Sequence, residues 1–317
     1  MKNEYLLSGF SDKYLKNKKN RRYLLIGIII LVILIIIILI IALSGKSDEE
    51  SNEKSNNKES DEKSNEESDN ISGPCPEIKY VNGGLSGSGF ASRYWDCCKP
   101  SCSWTENAGS GNEARQCDVN MNILTDKNTQ SKCQGGPATT CLSQKGFTIN
   151  GCDNLGFAFA AVPGAGAKIC GRCFLLEFTG EGKYETKKNH RLLANKKLIV
   201  MASNIGYDVN DGQFDVMIPG GGVGAFNGCT DILGTALGAQ YGGLLSDCEN
   251  EVGWSYDDDT LYTKRKECLV NKCNNIFSSK TKAKEGCLFL ANFLEAAGNP
   301  NHNYKEIECP DILKNKY

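Results

Sequence analysis

Hydrophobic and polar positions divide the chain into three unlike parts. Residues 23–43, Y-L-L-I-G-I-I-I-L-V-I-L-I-I-I-I-L-I-I-A-L, carry no charge over 21 positions. A helix rises about 1.5 Å per residue, so this run can cross a hydrocarbon layer of about 30 Å. The run is longer than the apolar core of a cleaved secretory signal, and Ala42-Leu43-Ser44 makes a poor cleavage site. It is read as an uncleaved signal-anchor helix. Residues 44–72 reverse the pattern: Ser, Asn, Glu and Lys dominate and no aromatic occurs. Such a segment cannot bury enough apolar surface to offset its ordering entropy, and it is read as a disordered tether. From residue 73 onward, short apolar runs alternate with turn residues. C-F-L-L-E-F at 173–178 ends at Thr179-Gly180, K-L-I-V-M-A covers 197–202, and F-D-V-M-I at 214–218 is stopped by Pro219 and three glycines. These runs predict strands of a mainly antiparallel or barrel-like sheet. Residues 287–297 fit a helical face and the start of a strand alternation about equally. The expectation is an all-β core with loops and a few short helices.

Charge orients the anchor. Residues 1–22 hold seven Lys/Arg against two Asp/Glu, a local net charge of +5, and positive flanks stay cytoplasmic. Residues 1–22 are therefore a basic cytoplasmic tail, 23–43 the anchor, 44–72 an acidic linker and 73–317 an exported domain. The protein is expected to be type II, single-pass, with its domain extracellular, and to be secreted if the N-terminal segment is cleaved. Asn70-Ile71-Ser72 is a glycosylation sequon on the exported side. The linker carries a net charge of −6, which leaves 73–317 close to neutral and gives no basic face for nucleic acid. All sixteen cysteines lie at or beyond Cys75, as expected of a disulfide framework outside the cytosol.

Candidate chemistry gathers in A-S-R-Y-W-D-C-C-K-P-S-C-S-W, residues 91–104, where Asp96 stands between the aromatic pair Tyr94-Trp95 and three cysteines. Cys170-Gly-Arg-Cys173 has a zinc-like spacing, but the two histidines, His190 and His302, stand in unrelated contexts, and disulfides explain the sulfurs more simply. Pro219-Gly-Gly-Gly-Val-Gly224 lacks the Gly-Lys-Ser/Thr ending of a phosphate loop. Its glycines instead suit tight turning or close backbone approach at a cleft floor. Neither histidine recommends itself as the base of a serine or cysteine nucleophile. Paired carboxylates remain. Asp215 has apolar neighbours that favour its protonated form, and Asp96 has Lys99 nearby to favour its ionised form. Two aspartates in contrasting settings beside aromatic surfaces suggest glycoside hydrolysis.

Two stretches then resemble family 45 glycoside hydrolases, endoglucanases that act on β-1,4-glucan. S-R-Y-W-D-C-C-K-P-S-C-S-W is similar to the N-terminal motif of that family, and F-D-V-M-I-P-G-G-G-V-G-A-F-N-G-C at 214–229 to its second motif. Shorter matches are L-G-F-A at 155–158, Y-G-G at 241–243, G-N-P at 298–300 and E-C-P at 308–310. The resemblance covers about residues 88–312 and implies a six-stranded double-psi β-barrel with long disulfide-braced loops, an open groove and an inverting mechanism. It implies Asp96 as general base, Asp215 as general acid, and Asp208 as an assisting acid on a mobile loop. Tyr94, Lys99, Trp104 and Asn299 become substrate-binding positions. No cofactor and no metal are implied. The expected partner is a β-1,4-glucan polysaccharide, besides the membrane through residues 23–43, and the chain is expected to be a monomer. The same resemblance implies bridges Cys97–Cys229, Cys98–Cys133, Cys102–Cys170, Cys117–Cys141, Cys173–Cys309 and Cys248–Cys287. The four extra cysteines are paired as Cys75–Cys152 and Cys268–Cys273. Departures are Cys170-Gly171 where the family often has adjacent cysteines, Gln213 where it often has histidine, and residues 251–284, which read as an insertion on the groove rim. The competing functions are an expansin-like, non-hydrolytic glycan-binding protein, whose family lacks the base, and a disulfide-rich adhesion domain.

Overall fold

Alternation along three central strands builds two cores back to back. In β3 (Leu155–Pro163), β4 (Cys173–Gly182) and β5 (Lys197–Gly206), the residues Ala158, Ala160, Phe174, Leu176, Leu198 and Val200 join one buried cluster. The intervening Phe157, Phe159, Cys173, Leu175, Ile199 and Met201 join another. Successive side chains of a strand point to opposite faces, so strands buried on both sides read as continuous apolar runs. This computed structural model describes residues 71–164, 168–234 and 237–317. The expected tail and anchor, and all but the last two residues of the linker, lie outside them. Among the described residues no helix is long and apolar enough to cross a membrane.

The remaining strands are β1 (Ser86–Tyr94), β2 (Phe147–Thr148), β6 (Phe214–Met217) and β7 (Pro300–Ile307). The sheet runs β2-β3-β5-β4-β7-β1-β6, and β6 also pairs with β3, closing a ring of six strands with β2 outside it. The strands expected at 173–178, 197–202 and 214–218 lie in β4, β5 and β6. Five of the seven strand pairings are antiparallel, as expected of this sheet; the exceptions are β1, which runs parallel to β6, and β3, which runs parallel to β5. Inside the ring, Phe214 packs against Phe174 and Tyr304 with ring centroids 5.2 Å apart in each pair.

A helical module sits between β6 and β7 in the chain. It comprises α1 (Gly243–Val252), α2 (Asp258–Ile276) and α3 (Thr281–Asn292), numbering only helices of ten residues or more. The expectation of a few short helices missed α2, whose sequence is dominated by charge. Its buried stripe is only Leu261, Arg265, Leu269 and Cys273, one residue per turn with an arginine among them. Its start was legible: Asp257 accepts a hydrogen bond from the Thr260 N–H at 2.9 Å, an N-cap. The ambiguous 287–297 stretch begins within α3 and contributes no strand.

Six bridges follow the expected pairing: Cys75–Cys152, Cys97–Cys229, Cys98–Cys133, Cys102–Cys170, Cys117–Cys141 and Cys173–Cys309. Two do not. Cys248 bonds Cys268, and Cys273 bonds Cys287, replacing the expected Cys248–Cys287 and Cys268–Cys273. Cys268 and Cys273 both lie on α2. Five residues of helix separate their backbones by about 7.5 Å and turn them well over a third of a circle apart, beyond the reach of one disulfide. Each therefore ties α2 to a different neighbour. With every cysteine oxidised, the zinc-like C-x-x-C spacing has no thiolate to offer.

His302 on β7 is 1% exposed and lies 5.5 Å, centroid to centroid, from Phe214. Burial pushes its pKa from 6.5 down to about 4. Between those values the unfolded chain binds a proton that the folded chain refuses. The His302 contribution to stability should therefore fall as pH drops from about 6.5 to about 4, by roughly 3 kcal/mol, and level off below; the carboxyls of Asp96 and Asp215, which the fold pushes up, contribute with the opposite sign. In chemical denaturation across that range, the stability of the wild type relative to His302→Phe should fall by that amount as pH drops; a difference that stays constant with pH would contradict this.

Candidate active site

One cavity of about 550 Å³ is lined by Tyr94, Asp96, Lys99, Trp104, Asp208 and Asp215, among others. A second, of about 620 Å³, is lined by Arg93, Tyr94, Asp208, Asp215, Trp254 and Asn299, among others. Tyr94, Asp208 and Asp215 belong to both, so the two cavities form one groove with Asp215 at the junction. All seven expected site residues line it. Asn299 stands on one arm, and Asp96, Lys99 and Trp104 on the other.

The parallel pairing of β1 with β6 sets the scaffold, placing Ser92 opposite Asp215 and Tyr94 opposite Met217. Phe214 and Val216 are buried in the ring's core, so strand alternation turns Asp215 between them outward to the groove. Asp96 follows the end of β1. Its Oδ1 accepts the Cys98 N–H at 2.9 Å, while Cys97 between them adopts φ 57. That left-handed conformation costs a non-glycine residue about 1–2 kcal/mol. It is held by the bridge to Cys229 and by the Thr139 hydroxyl, which donates to the Cys97 carbonyl at 2.7 Å. The backbone of Asp96 is further tied by the Gly228 N–H, 2.8 Å from its carbonyl. The glycine turn forms the floor, as expected. Gly222 has φ 106, and a Cβ there would lie 2.8 Å from the Gly242 nitrogen.

Both acids sit high in pKa for one main reason, burial. It pushes Asp215 up to about 7; the Ser92 hydroxyl pulls the other way, and the Asp208 charge adds to the rise. It pushes Asp96 up to about 6, restrained by the Cys98 N–H and raised further by Asp208. The acid held by the backbone N–H is thus the more readily ionised of the two.

The model of the family described as Glycosyl hydrolase family 45 matches residues 88–255. The chain belongs to this family. It is 40% identical over 240 residues to Endoglucanase B of Cellvibrio japonicus, covering 74% of this chain but only 45% of that protein. It is 35% identical over 245 residues to an Endoglucanase of Cryptopygus antarcticus, covering 75% of this chain and 92% of that one. The crystal structure of the cellulase from the Antarctic springtail Cryptopygus antarcticus superimposes with a TM-score of 0.56 at 35% identity, covering 73% of this chain and 96% of that one.

Within this family 45 groove, two residues differ from expectation. Lys99 does not serve Asp96. Its ammonium donates to the carbonyls of Lys127 at 2.6 Å and Thr129 at 3.1 Å and lies 3.1 Å from the Trp104 ring centroid. Burial pulls its pKa down to about 8. Its role is to brace Trp104 and the 127–129 segment. Trp95, read with Tyr94 as a stacking surface, is 3% exposed and packs edge-on against Phe277 at 5.9 Å. Strand alternation turns it into the core while Tyr94 faces the groove.

The chain from Asp215 continues through residues the sequence reading did not assign. Ser92 donates to Asp215 Oδ1 at 2.6 Å, and Gln213 Nε2 donates to the Ser92 oxygen at 2.7 Å. Gln213 Oε1 accepts from the Asn210 N–H at 3.1 Å and from its side-chain amide at 3.0 Å, which fixes the orientation of the Gln213 amide. With its oxygen already accepting, the Ser92 hydroxyl is directed at Asp215. Also missed were the exposed aromatics Tyr184, Tyr207, Phe226, Tyr241 and Trp254 on the groove walls; Phe226 and Tyr241 fall within stretches that resemble the family but carry no assigned role there. Their common sequence signal is a turn glycine one or two residues away, as in Gly206-Tyr207, Gly224-Ala-Phe226 and Gly253-Trp254.

Ser92→Ala should move the Asp215 pKa further above about 7, because the removed hydroxyl favours the ionised carboxyl. Gln213→Leu, which frees that hydroxyl to rotate, should produce a smaller rise. Carboxyl carbon NMR of Asp215 against pH reads both; an unchanged titration in Ser92→Ala would break the proposed link.

Proposed function

We propose that the chain is an inverting endo-β-1,4-glucanase in which Asp215 is the general acid and Asp96 the general base. The observation that carries this is the sharing of one groove by two half-buried carboxyls whose pKa values lie near 7 and near 6. Between those values Asp215 keeps its proton and Asp96 has lost its own, the arrangement an acid/base pair requires. Asp215 Oδ1 accepts the Ser92 hydroxyl, so the transferable proton belongs on Oδ2. That proton passes to the glycosidic oxygen as the bond from C1 to that oxygen breaks. A water attacks C1 from the opposite face and gives its proton to Asp96. Exchange with solvent then returns a proton to Asp215 and removes one from Asp96. Inversion requires room for the water, a carboxyl separation of roughly 6.5–9.5 Å. Asp208 lines both arms and its charge supports the protonated form of Asp215.

Family membership supports the glucanase reading, as do the names of the relatives. The expansin-like alternative is disfavoured by the retention of Asp96 in the groove. The ring of six strands with its two parallel pairs supports the double-psi description. We further propose that Tyr94, Trp104 and Asn299 contact a β-glucan along the groove, and that residues 23–43 hold a monomeric domain outside the cell on the 44–72 tether.

Asp96→Asn and Asp215→Asn should each lower turnover by about 10²–10⁴-fold while leaving folding and glucan binding near normal. The wild type should thin soluble cellulose quickly while releasing few new reducing ends, and proton NMR should detect the α-anomer first. The pH profile of kcat/KM should rise through about 6 as Asp96 ionises and fall through about 7 as Asp215 ionises. Substantial activity in either variant, or initial β-anomer, would overturn the assignment.

A further inference from the structure

We propose that Trp254 is a glucan-stacking residue at the arm of the groove remote from Asp96, and that the helical module exists in part to hold it there. The inference rests on the glucanase reading above. Trp254 lines the same cavity as Asp215, yet Asp96 does not, so it meets only a ligand that extends away from the base. Its indole is 59% exposed, and the exposed Tyr184 and Tyr241 line the same cavity. A sugar ring offers an apolar C–H face, and an indole presented to a cleft is the surface that face fits.

The ring is exposed but braced. Gly253 ends α1 with φ 74, turning the chain so that the next residue, Trp254, leaves the helix. Arg265 of α2, itself only 5% exposed, donates to the Gly253 carbonyl at 2.8 Å and sets its guanidinium carbon 4.1 Å from the Trp254 ring centroid. Lys187 places its ammonium 4.6 Å from the same centroid and 3.1 Å from Glu185. A guanidinium stacked on an indole favours one ring orientation. Burying an arginine costs free energy that one carbonyl bond offsets poorly, so the arrangement spends stability to orient a ring. Two bridges lock the brace: Cys248–Cys268 joins α1 to α2, and Cys273–Cys287 joins α2 to α3. A ring fixed before the ligand arrives loses less entropy on binding. Trp254 thereby favours long glucan chains over short ones.

The test measures binding and turnover separately, in the full chain. In an Asp215→Asn background, calorimetry with cellotriose through cellohexaose should show Trp254→Ala weakening cellohexaose binding about tenfold more than cellotriose binding, a difference of about 1.4 kcal/mol. Trp254→Phe should recover most of the loss, and Arg265→Gln should reproduce part of it. In the active enzyme, Trp254→Ala should lower kcat/KM in the same length-dependent way while both limbs of the pH profile stay in place. Equal weakening at every length, or none, would overturn the inference while leaving the glucanase reading standing. Length-dependent binding without turnover in the wild type would do the reverse.

Discussion

The parallel pairing of β1 with β6 is the constraint on which the site depends. It sets Ser92 beside Asp215 in register and carries β1 onward to deliver Asp96 into the same groove. The Cys97–Cys229 bridge then fastens the segment after β1 to the segment after β6. Two strand ends joined by hydrogen bonds and a covalent link cannot drift apart. A bridge spanning 132 residues also removes much freedom from the unfolded chain. The strained φ of Cys97 is tolerated because its surroundings over-determine it.

Around that pair the environment separates two chemically identical side chains. Both acids are half-buried and both shift upward, but Asp96 is held by a backbone N–H and Asp215 by a serine hydroxyl whose direction depends on Gln213. A backbone donor cannot turn away, whereas a hydroxyl can. The glutamine amide, pinned by Asn210, supplies the missing constraint. Positioning at this site is therefore a chain of fixed donors that ends at one carboxyl oxygen.

The helical module shows a second use of covalent bracing. Its bridges do not close the ring of strands; they stack three helices, of which the middle one, α2, has a thin apolar stripe. α2 buries four residues over nineteen, too few to hold its position by packing alone, and each of its cysteines anchors a different face. The result is a rigid wall on one arm of the groove.

Much of this was present in the sequence. The two acids, their motifs and the central strands could be read from residue order, because motif spacing and strand alternation are local properties that survive without knowledge of the neighbours; five of the eight bridges came from the resemblance to the family and a sixth from pairing the extra cysteines. Other features needed the folded chain. Tyr94 and Trp95 are adjacent and chemically alike, yet one faces the groove and the other the core, and only the direction of β1 decides which. Lys99 was read as a partner of Asp96 because they are close in sequence, but its ammonium found two carbonyls and an indole instead. The pairing of Cys268 and Cys273 turned on a helix that charge had masked. Residue order fixes what each side chain can do; which partner it meets depends on distances between segments far apart in the chain, and those come into being only when the ring closes.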